Sequence, residues 1–247
     1  VDLGPWFGAT TISLAIGLTK SRVAEKRKKI HAYDMFIWKS EMLWTSMEIK
    51  YKPYQSFFNE YMENIKPWEN FIKVYPGDLN KANWKRTDAI EFLFNDVSKS
   101  WDLANSIIRI FYPSLIPGVS IIVEQDYAHC WTSWIHLIGY RFRHYFKAIY
   151  NIPGSPSVVF KYLMQIPDEL LNTTYSISSF SMDEINSAFK YSLSLVIKEM
   201  QSNVLAAKVM CFYYLGDLDR AQYELKKVYD MGFNGRDLNK VERLLSG

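Results

Sequence analysis

Short apolar runs alternate with helical segments over residues 1–165, and this alternation limits the chain to few folds. The apolar runs that predict strands are residues 1–3, 30–36, 71–75, 89–96, 119–123, 146–152 and 157–163. The intervals between the first five runs are long enough for the crossover connections of parallel strands. The last two runs flank a turn at residues 153–156 and predict a hairpin. The sequence therefore predicts an α/β fold with a mostly parallel sheet and a terminal antiparallel hairpin.

Helical segments separate these strands and make up the C-terminal part of the chain. The predicted helices are residues 12–18, 101–112, 132–145, 182–201, 203–215 and 218–231. A polar stretch at residues 172–179 follows Pro167 and marks a change of character. We therefore predict a domain at residues 1–167 and a helical appendage at residues 180–247.

Residues 216–228 in the appendage are similar to the second half of a tetratricopeptide repeat. Gly216 and Asp217 separate two predicted helices, and the small side chain of Ala221 allows the helices to approach closely. A repeat array needs about three units to bury a core. A single hairpin therefore favours packing, or a homo-oligomer that forms through the C-terminal helices, over a peptide-binding groove.

Charge and cysteine content narrow the range of partners and locations. The formal net charge of +3 is too small to indicate a nucleic-acid partner. The basic run at residues 20–29 is either the solvated end of the first helix or a phosphate-binding patch. Two cysteines far apart, Cys130 and Cys211, favour a reducing, cytoplasmic location. No apolar run reaches the roughly 18 residues that a membrane span needs.

A segment at residues 39–68 is rich in aromatic residues and methionine. Its apolar spacing is partly helical, and two prolines, Pro53 and Pro67, interrupt it. Aromatic rings stack on the faces of sugar rings, and they also fill protein cores. The segment therefore predicts either a lid over a sugar acceptor or a helix that packs on the sheet.

The first strand passes into the first helix through a turn that contains two glycines. Asp2 lies at the strand end, Gly4 and Gly8 are separated by three residues, and Thr10 lies at the helix start. Glycine lets the backbone approach a ligand, and the free N–H groups of a helix start face it. The spacing differs from the Gly-x-Gly-x-x-Gly pattern of dinucleotide sites. The turn predicts a cofactor site, with a tight turn that holds no ligand as the alternative.

Acidic residues follow the ends of further predicted strands. They are Asp34, Asp78, Asp96 and Asp126. Ligands of open α/β sheets bind at the carboxyl edge of the strands. The row of acids therefore predicts a binding edge, although Asp78 taken alone also fits the cap of a short helix.

These features resemble a class I S-adenosylmethionine-dependent methyltransferase, and within that class the macrocin O-methyltransferase family. The resemblance covers about residues 1–165. It rests on the glycine-rich opening and on three short segments, at residues 2–10, 33–36, 115–118 and 125–127. It implies a Rossmann-like, mostly parallel sheet with a terminal antiparallel hairpin. It also implies metal-assisted methylation of sugar hydroxyls.

The resemblance implies a cofactor-binding role for Asp2, Gly4, Gly8, Thr10, Asp34, Met35 and Asp78. Gly4 and Gly8 would admit the methionine part of S-adenosylmethionine, with Asp2 near its cationic groups. Asp34 would accept both ribose hydroxyls, since one carboxylate can take two hydrogen bonds in a fork. Asp78 would border the adenine.

The resemblance also implies an acceptor site. Asp96 and Asp126 would hold Mg²⁺ through oxygen ligands, and the ion would lower the pKa of a sugar hydroxyl. Imidazole titrates near neutrality, so His129 and His136 are candidate general bases. His129 is the predicted base because it follows Asp126 by three positions. An ordinary core or surface histidine is the alternative for each.

The chain departs from the family pattern at three positions of this acceptor site. Ser98 takes the place of a second carboxylate, and Gln125 replaces one of two tandem carboxylates. Lys99 adds a positive charge beside them. Fewer carboxylates weaken the binding of Mg²⁺, so Lys99 either supplies the charge of the metal or lies solvated at a helix start.

We therefore expect an enzyme that uses S-adenosylmethionine, with or without Mg²⁺, to methylate an oxygen of a sugar, glycan or sugar-bearing small molecule. The residues at Ser98 and Gln125 keep a second hypothesis open. Under it, the chain is a degenerate methyltransferase-like scaffold that acts as a binding or interaction module. The missing dinucleotide pattern disfavours a nicotinamide oxidoreductase.

Overall fold

The computed structural model describes residues 1–21, 29–39 and 51–246. Within these ranges the chain forms seven strands and nine α-helices. The strands are β1 (Asp2–Leu3), β2 (Ile30–Asp34), β3 (Ile72–Pro76), β4 (Phe92–Asn95), β5 (Ile121–Glu124), β6 (Phe146–Asn151) and β7 (Val158–Tyr162). The helices are α1 (Ala9–Lys20), α2 (Phe58–Ile65), α3 (Trp101–Ile110), α4 (Ser133–Arg141), α5 (Asp168–Asn172), α6 (Met182–Leu195), α7 (Lys198–Tyr214), α8 (Leu218–Asp230) and α9 (Arg236–Leu245). None of these helices combines the length and the apolar character needed to cross a bilayer.

The chain divides into two compact units, unit 1 (Val1–Asn83) and unit 2 (Trp84–Gly247). In unit 1 the strands are parallel and lie in the order β3-β2-β1. In unit 2 β4 and β5 are parallel, and β7 and β6 follow in antiparallel order. This confirms the predicted α/β fold with its terminal hairpin, and the fold is compatible with the Rossmann-like class.

An aromatic cluster fills the core of unit 1. Its buried members are Ala32, Phe36, Trp38, Phe57, Tyr61 and Ile65. Tyr61 and Ile65 lie four residues apart on one face of α2, and the Tyr61 ring is 4.7 Å from the ring of Phe36. The described part of the aromatic segment therefore packs as core. Residues 40–50 of that segment, and residues 22–28 of the basic run, lie outside the described residues.

Buried apolar strands and polar side-chain bonds hold unit 2 together. Ile122 and Val123 of β5 are buried, as a strand covered on both faces requires. Asn105 of α3 donates through its side-chain amide to the carbonyl of Tyr175 at 2.8 Å and accepts the N–H of Tyr175 at 2.8 Å. These two bonds attach the chain after α5 to α3.

The C-terminal helices pack within unit 2. Helices α7 and α8 form the predicted hairpin, and the Asp217 side chain caps α8 by accepting the N–H of Arg220 at 3.0 Å. Ala221 is fully buried, so its small side chain permits close helix packing. A separate domain that begins near residue 180, and a homo-oligomer through these helices, stay predictions.

Two predicted elements differ from those of the structure, and a helix of the structure was not predicted. The prediction of one helix at residues 182–201 is wrong, because Val196 and Ile197 between α6 and α7 have extended backbones, which β-branched residues favour. The strand predicted at residues 89–96 is shorter, because Ile90 forms an isolated bridge with Leu115. Helix α9 is missing from the sequence prediction.

Replacement of Gly8 by alanine should destabilise the fold by about 2 kcal/mol. Gly8 has φ of 96°, which costs a residue with a side chain roughly 1–2 kcal/mol, and a Cβ atom there would lie 3.1 Å from Cγ2 of Ile65. The matched control is Gly17→Ala, inside α1, where a Cβ atom meets nothing within 4 Å. The control should stabilise the protein by about 0.5–1 kcal/mol. Urea unfolding measures both, and equal effects would contradict this account.

Candidate functional site

The turn between β1 and α1 carries both glycines of the predicted cofactor loop. Gly4 and Gly8 have φ of 80° and 96°, and glycine adopts these values at low cost. The Gly4 N–H donates to the carbonyl of Tyr33 at 2.9 Å, which joins the turn to β2. At Gly8 a Cβ atom would approach Ile65 and the ring of Tyr61. Packing on α2 is therefore a sufficient reason for glycine at position 8.

Asp2 anchors the start of α1 to β1. Its buried carboxylate accepts hydrogen bonds from the hydroxyl of Thr10 at 3.0 Å and from the hydroxyl of Thr11 at 2.5 Å. Burial raises the pKa of Asp2 to about 6, although both hydroxyls act to lower it. Asp2 and Thr10 thus form a bond with each other, and their contact with a cofactor stays a prediction.

Asp34, the last residue of β2, connects the ends of the three strands of unit 1. Its carboxylate accepts the N–H of Trp6 in the β1–α1 turn at 3.2 Å and the N–H of Phe36 at 2.7 Å. Its carbonyl accepts the N–H of Gly77, directly after β3, at 2.8 Å. Burial raises the pKa of Asp34 despite the amide donors. The loops that carry the predicted cofactor residues therefore converge on one acid.

Two more predicted cofactor residues follow β2 and β3. Met35 exposes 46% of its surface directly after Asp34. Asp78 accepts the N–H of Asn80 at 3.0 Å and caps the 3-10 turn Leu79–Lys81. The capping alternative for Asp78 is thus present, and its contact with adenine stays a prediction.

In unit 2 the two predicted metal ligands share one lysine. The Nζ atom of Lys99 donates to Oδ1 of Asp96 at 2.7 Å and also to Oδ2 of Asp126. The side chains of Asp96 and Asp126 are 28% and 17% exposed, so both reach solvent. The structure therefore brings the two acids together around an ammonium group.

This arrangement does not fit a magnesium ion. Mg²⁺ requires near-octahedral oxygen ligands and binds through carboxylates, but here a positive charge already bridges the pair. The two positions that depart from the family pattern have partners of their own. The Ser98 hydroxyl accepts from the Asn95 amide at 3.0 Å, and the Gln125 side-chain oxygen accepts from the Ser157 hydroxyl at 3.2 Å. The chain thus supplies its own cation at Lys99.

The last residues of β4 and β5 form a buried polar pair that does not stand out in the sequence. Asn95 and Glu124 lie opposite each other in register, and the Asn95 amide donates to Oε2 of Glu124 at 2.8 Å. The Tyr112 hydroxyl is 3.4 Å from Oε1 of Glu124. Burial raises the pKa of Glu124 to about 7. The one sequence feature that could have revealed this pair is Glu124, a carboxylate at the end of an otherwise apolar strand.

These polar groups line a mainly apolar cavity of about 70 Å³ in unit 2. Its apolar wall includes Ile107, Ile138 and Phe142. A water molecule needs roughly 10–15 Å³ of such space, so the cavity has room for several waters or one very small ligand.

His129, the predicted general base, lies beside Cys130 and Asp237. One potential ligand atom from each of the three residues lies within 4.8 Å of the others. Burial lowers the pKa of the half-buried His129, while the carboxylates of Asp126 and Asp237 oppose the shift. The role of His129 as a base stays a prediction.

His136 lies in the core, as the alternative to a base role predicts. It is fully buried, and its ring centroid is 5.1 Å from that of Tyr127 and 5.0 Å from that of Phe189. Among the described residues neither ring nitrogen has a hydrogen-bond partner. Burial lowers the pKa of His136 to about 3, so the ring stays neutral at physiological pH.

No protein-family model matches the chain, and no curated protein matches it. Its function is therefore inferred from the residues themselves.

Replacement of Lys99 by alanine should create a divalent-cation site, because it leaves the two carboxylates without their cation. With Mg²⁺ at ten times its dissociation constant, binding stabilises the variant by about 1.4 kcal/mol, which raises its Tm by about 3–6 °C. The wild type should show no such rise. The control is Lys226→Ala, which frees one exposed carboxylate, Asp230, and should show none either. A rise in the wild type equal to that in Lys99→Ala would contradict the bridging role of Lys99.

Replacement of His136 by phenylalanine should reduce the fall in the free energy of unfolding that occurs as the pH is lowered. The folded pKa of about 3 lies below the ordinary value of 6.5, so below pH 6.5 the unfolded chain takes up a proton that the folded chain does not. The wild type should therefore lose about 2 kcal/mol more than the variant between pH 7.5 and pH 5. Urea unfolding at both pH values measures the difference. His136→Leu should give the same change as His136→Phe. An equal loss of stability between the two pH values in the wild type and both variants would refute the prediction.

Proposed function

We propose that the chain binds S-adenosylmethionine through unit 1 and transfers its methyl group to an oxygen of a sugar, glycan or sugar-bearing small molecule. The observation that carries this proposal is the convergence of the β1–α1 turn, the end of β2 and the end of β3 on Asp34. An α/β sheet binds ligands at this carboxyl edge, and the three loops contain the residues that the family resemblance assigns to the cofactor.

Asp34 has capacity left for a ribose. An ionised carboxylate has about four acceptor positions, and the N–H groups of Trp6 and Phe36 occupy two of them, with the Met35 N–H as a further donor. The remaining capacity is available to a ribose hydroxyl. Gly4 lies in the same turn as Trp6. Because glycine has no side chain, position 4 of this turn places none near Asp34. In this proposal Asp2 and Thr10 hold the helix start in place beside the cofactor.

The acceptor chemistry needs charge and a proton acceptor but no metal ion in this proposal. When bound, S-adenosylmethionine supplies a methyl group on a sulfonium. The acceptor oxygen forms a C–O bond as the S–C bond breaks. The acceptor hydroxyl gives up its proton to His129, the predicted base. Lys99 fixes the carboxylates of Asp96 and Asp126 in place. The Asp126 carboxylate accepts at more than one position, so it can also take a hydrogen bond from a sugar hydroxyl.

A non-catalytic scaffold is the second candidate, and two observations favour it. The carboxylate of Asp2 is already engaged by two threonine hydroxyls. Packing alone accounts for Gly8. Under this hypothesis the loops of unit 1 are structural, and the chain acts through its surface.

The proposal extends to location and assembly. Cys130 and Cys211 are both unpaired, which suits the reducing cytoplasm. Leu218 and Tyr223 of α8 expose 51% and 60% of their surfaces, and apolar side chains of this kind are available for a homo-oligomer through the C-terminal helices. No nucleic-acid partner is proposed.

Calorimetric titration with S-adenosylhomocysteine tests the proposal and its rival. The wild type should bind the ligand, and Asp34→Asn should bind it about 10- to 100-fold more weakly. This range follows because a hydrogen bond to a charged group contributes roughly 1.5–3 kcal/mol. Asp219→Asn, at an exposed position of α8, is the control and should bind like the wild type. No heat with S-adenosylhomocysteine or S-adenosylmethionine would leave the scaffold hypothesis alone.

A further inference from the structure

Three side chains of unit 2 form a cluster that the proposed function does not use as a unit. His129 and Cys130 follow β5, and Asp237 lies in the first turn of α9. One potential ligand atom from each residue lies within 4.8 Å of the others, and Cys130 and Asp237 are buried. A sequence separation of 107 residues between Cys130 and Asp237 means that the fold, rather than local sequence, assembles the cluster.

We propose that His129, Cys130 and Asp237 bind a zinc ion. An imidazole nitrogen, a thiolate sulfur and a carboxylate oxygen are the three donor types that Zn²⁺ takes in proteins. Mg²⁺ and Ca²⁺ prefer all-oxygen sets, so the thiolate selects against them. Three protein ligands leave a fourth tetrahedral position for water.

Existing hydrogen bonds orient the carboxylate of the cluster. The Trp131 N–H donates to Nδ1 of His129 at 3.4 Å; this long bond uses the lone pair of Nδ1, and zinc would replace it there. Lys240 donates to Oδ1 of Asp237 at 2.8 Å and orients that carboxylate. Oδ2 of Asp237 accepts the Cys130 N–H at 3.2 Å, so this oxygen already lies toward the cysteine. Such supporting bonds fix ligand orientation in metal sites.

Protons balance when zinc binds to this site. Binding releases the thiol proton of Cys130 to solvent, and the thiolate forms the bond to zinc. One thiolate and one carboxylate then offset the charge of Zn²⁺, the imidazole stays neutral, and the Lys240 ammonium on Asp237 leaves the cluster with one positive charge. The filled site ties the segment after β5 to α9. It also occupies a nitrogen of His129, so zinc binding and a base function through that nitrogen exclude each other.

Titration of the full chain with Co²⁺, a spectroscopic substitute for Zn²⁺, tests the proposal. The expected result is one Co²⁺ per chain with a near-ultraviolet thiolate-to-cobalt absorption band that Zn²⁺ abolishes. Cys130→Ser should lose the band. His129→Ala and Asp237→Asn should weaken binding at least about tenfold, since changes to supporting residues alone reach that size. Cys211→Ala, which removes the other buried cysteine, should keep the band and the affinity.

Circular dichroism of each variant shows whether it folds. If Asp237→Asn does not fold, His129→Ala decides, because the side chain of His129 is only half-buried. Absence of the band in the wild type, or its persistence in Cys130→Ser, would overturn the zinc site. The titration contains no S-adenosylmethionine, so its outcome is independent of the proposed methyl transfer.

Discussion

Asp34 holds the carboxyl edge of the unit 1 strands in one shape, because this single residue accepts N–H groups from the loops after all three strands of that unit. Hydrogen bonds from amides to a carboxylate are charge-assisted, and an amide left unpaired in a buried position costs roughly 1–3 kcal/mol. The bonds of Asp2 to Thr10 and Thr11 fix the following helix in the same way. The proposed cofactor would therefore meet a loop that is already ordered, which lowers the cost of binding.

In unit 2 the ammonium group of Lys99 holds two acidic side chains in place in a similar way. Asp96 and Asp126 repel each other at close range, and Lys99 removes that repulsion without any bound ion. The surrounding polar groups then pair among themselves, as Asn95 does with Glu124. The side chains of Ser98, Lys99 and Gln125 thus each have a partner within unit 2.

The strands and the terminal hairpin follow from the sequence because apolar runs and crossover lengths are local properties. The break at Val196 and Ile197 is not predictable in this way, since both residues continue an apolar helical pattern while their backbones are extended. In the site, the glycines and Asp34 are visible in the sequence. The pairing of Lys99 with Asp126 is not, because it joins residues 27 apart through the register of β4 and β5. The cluster of His129 with Asp237 depends on α9, which the sequence pattern did not reveal.

The most direct test of the central claim is a crystal structure of the chain grown with saturating S-adenosylhomocysteine. The account predicts ligand density at the carboxyl edge of unit 1, with both ribose hydroxyls on the carboxylate of Asp34 and the amino-acid part near Gly4. A structure with that edge empty, or with the ligand bound to other residues, would contradict it.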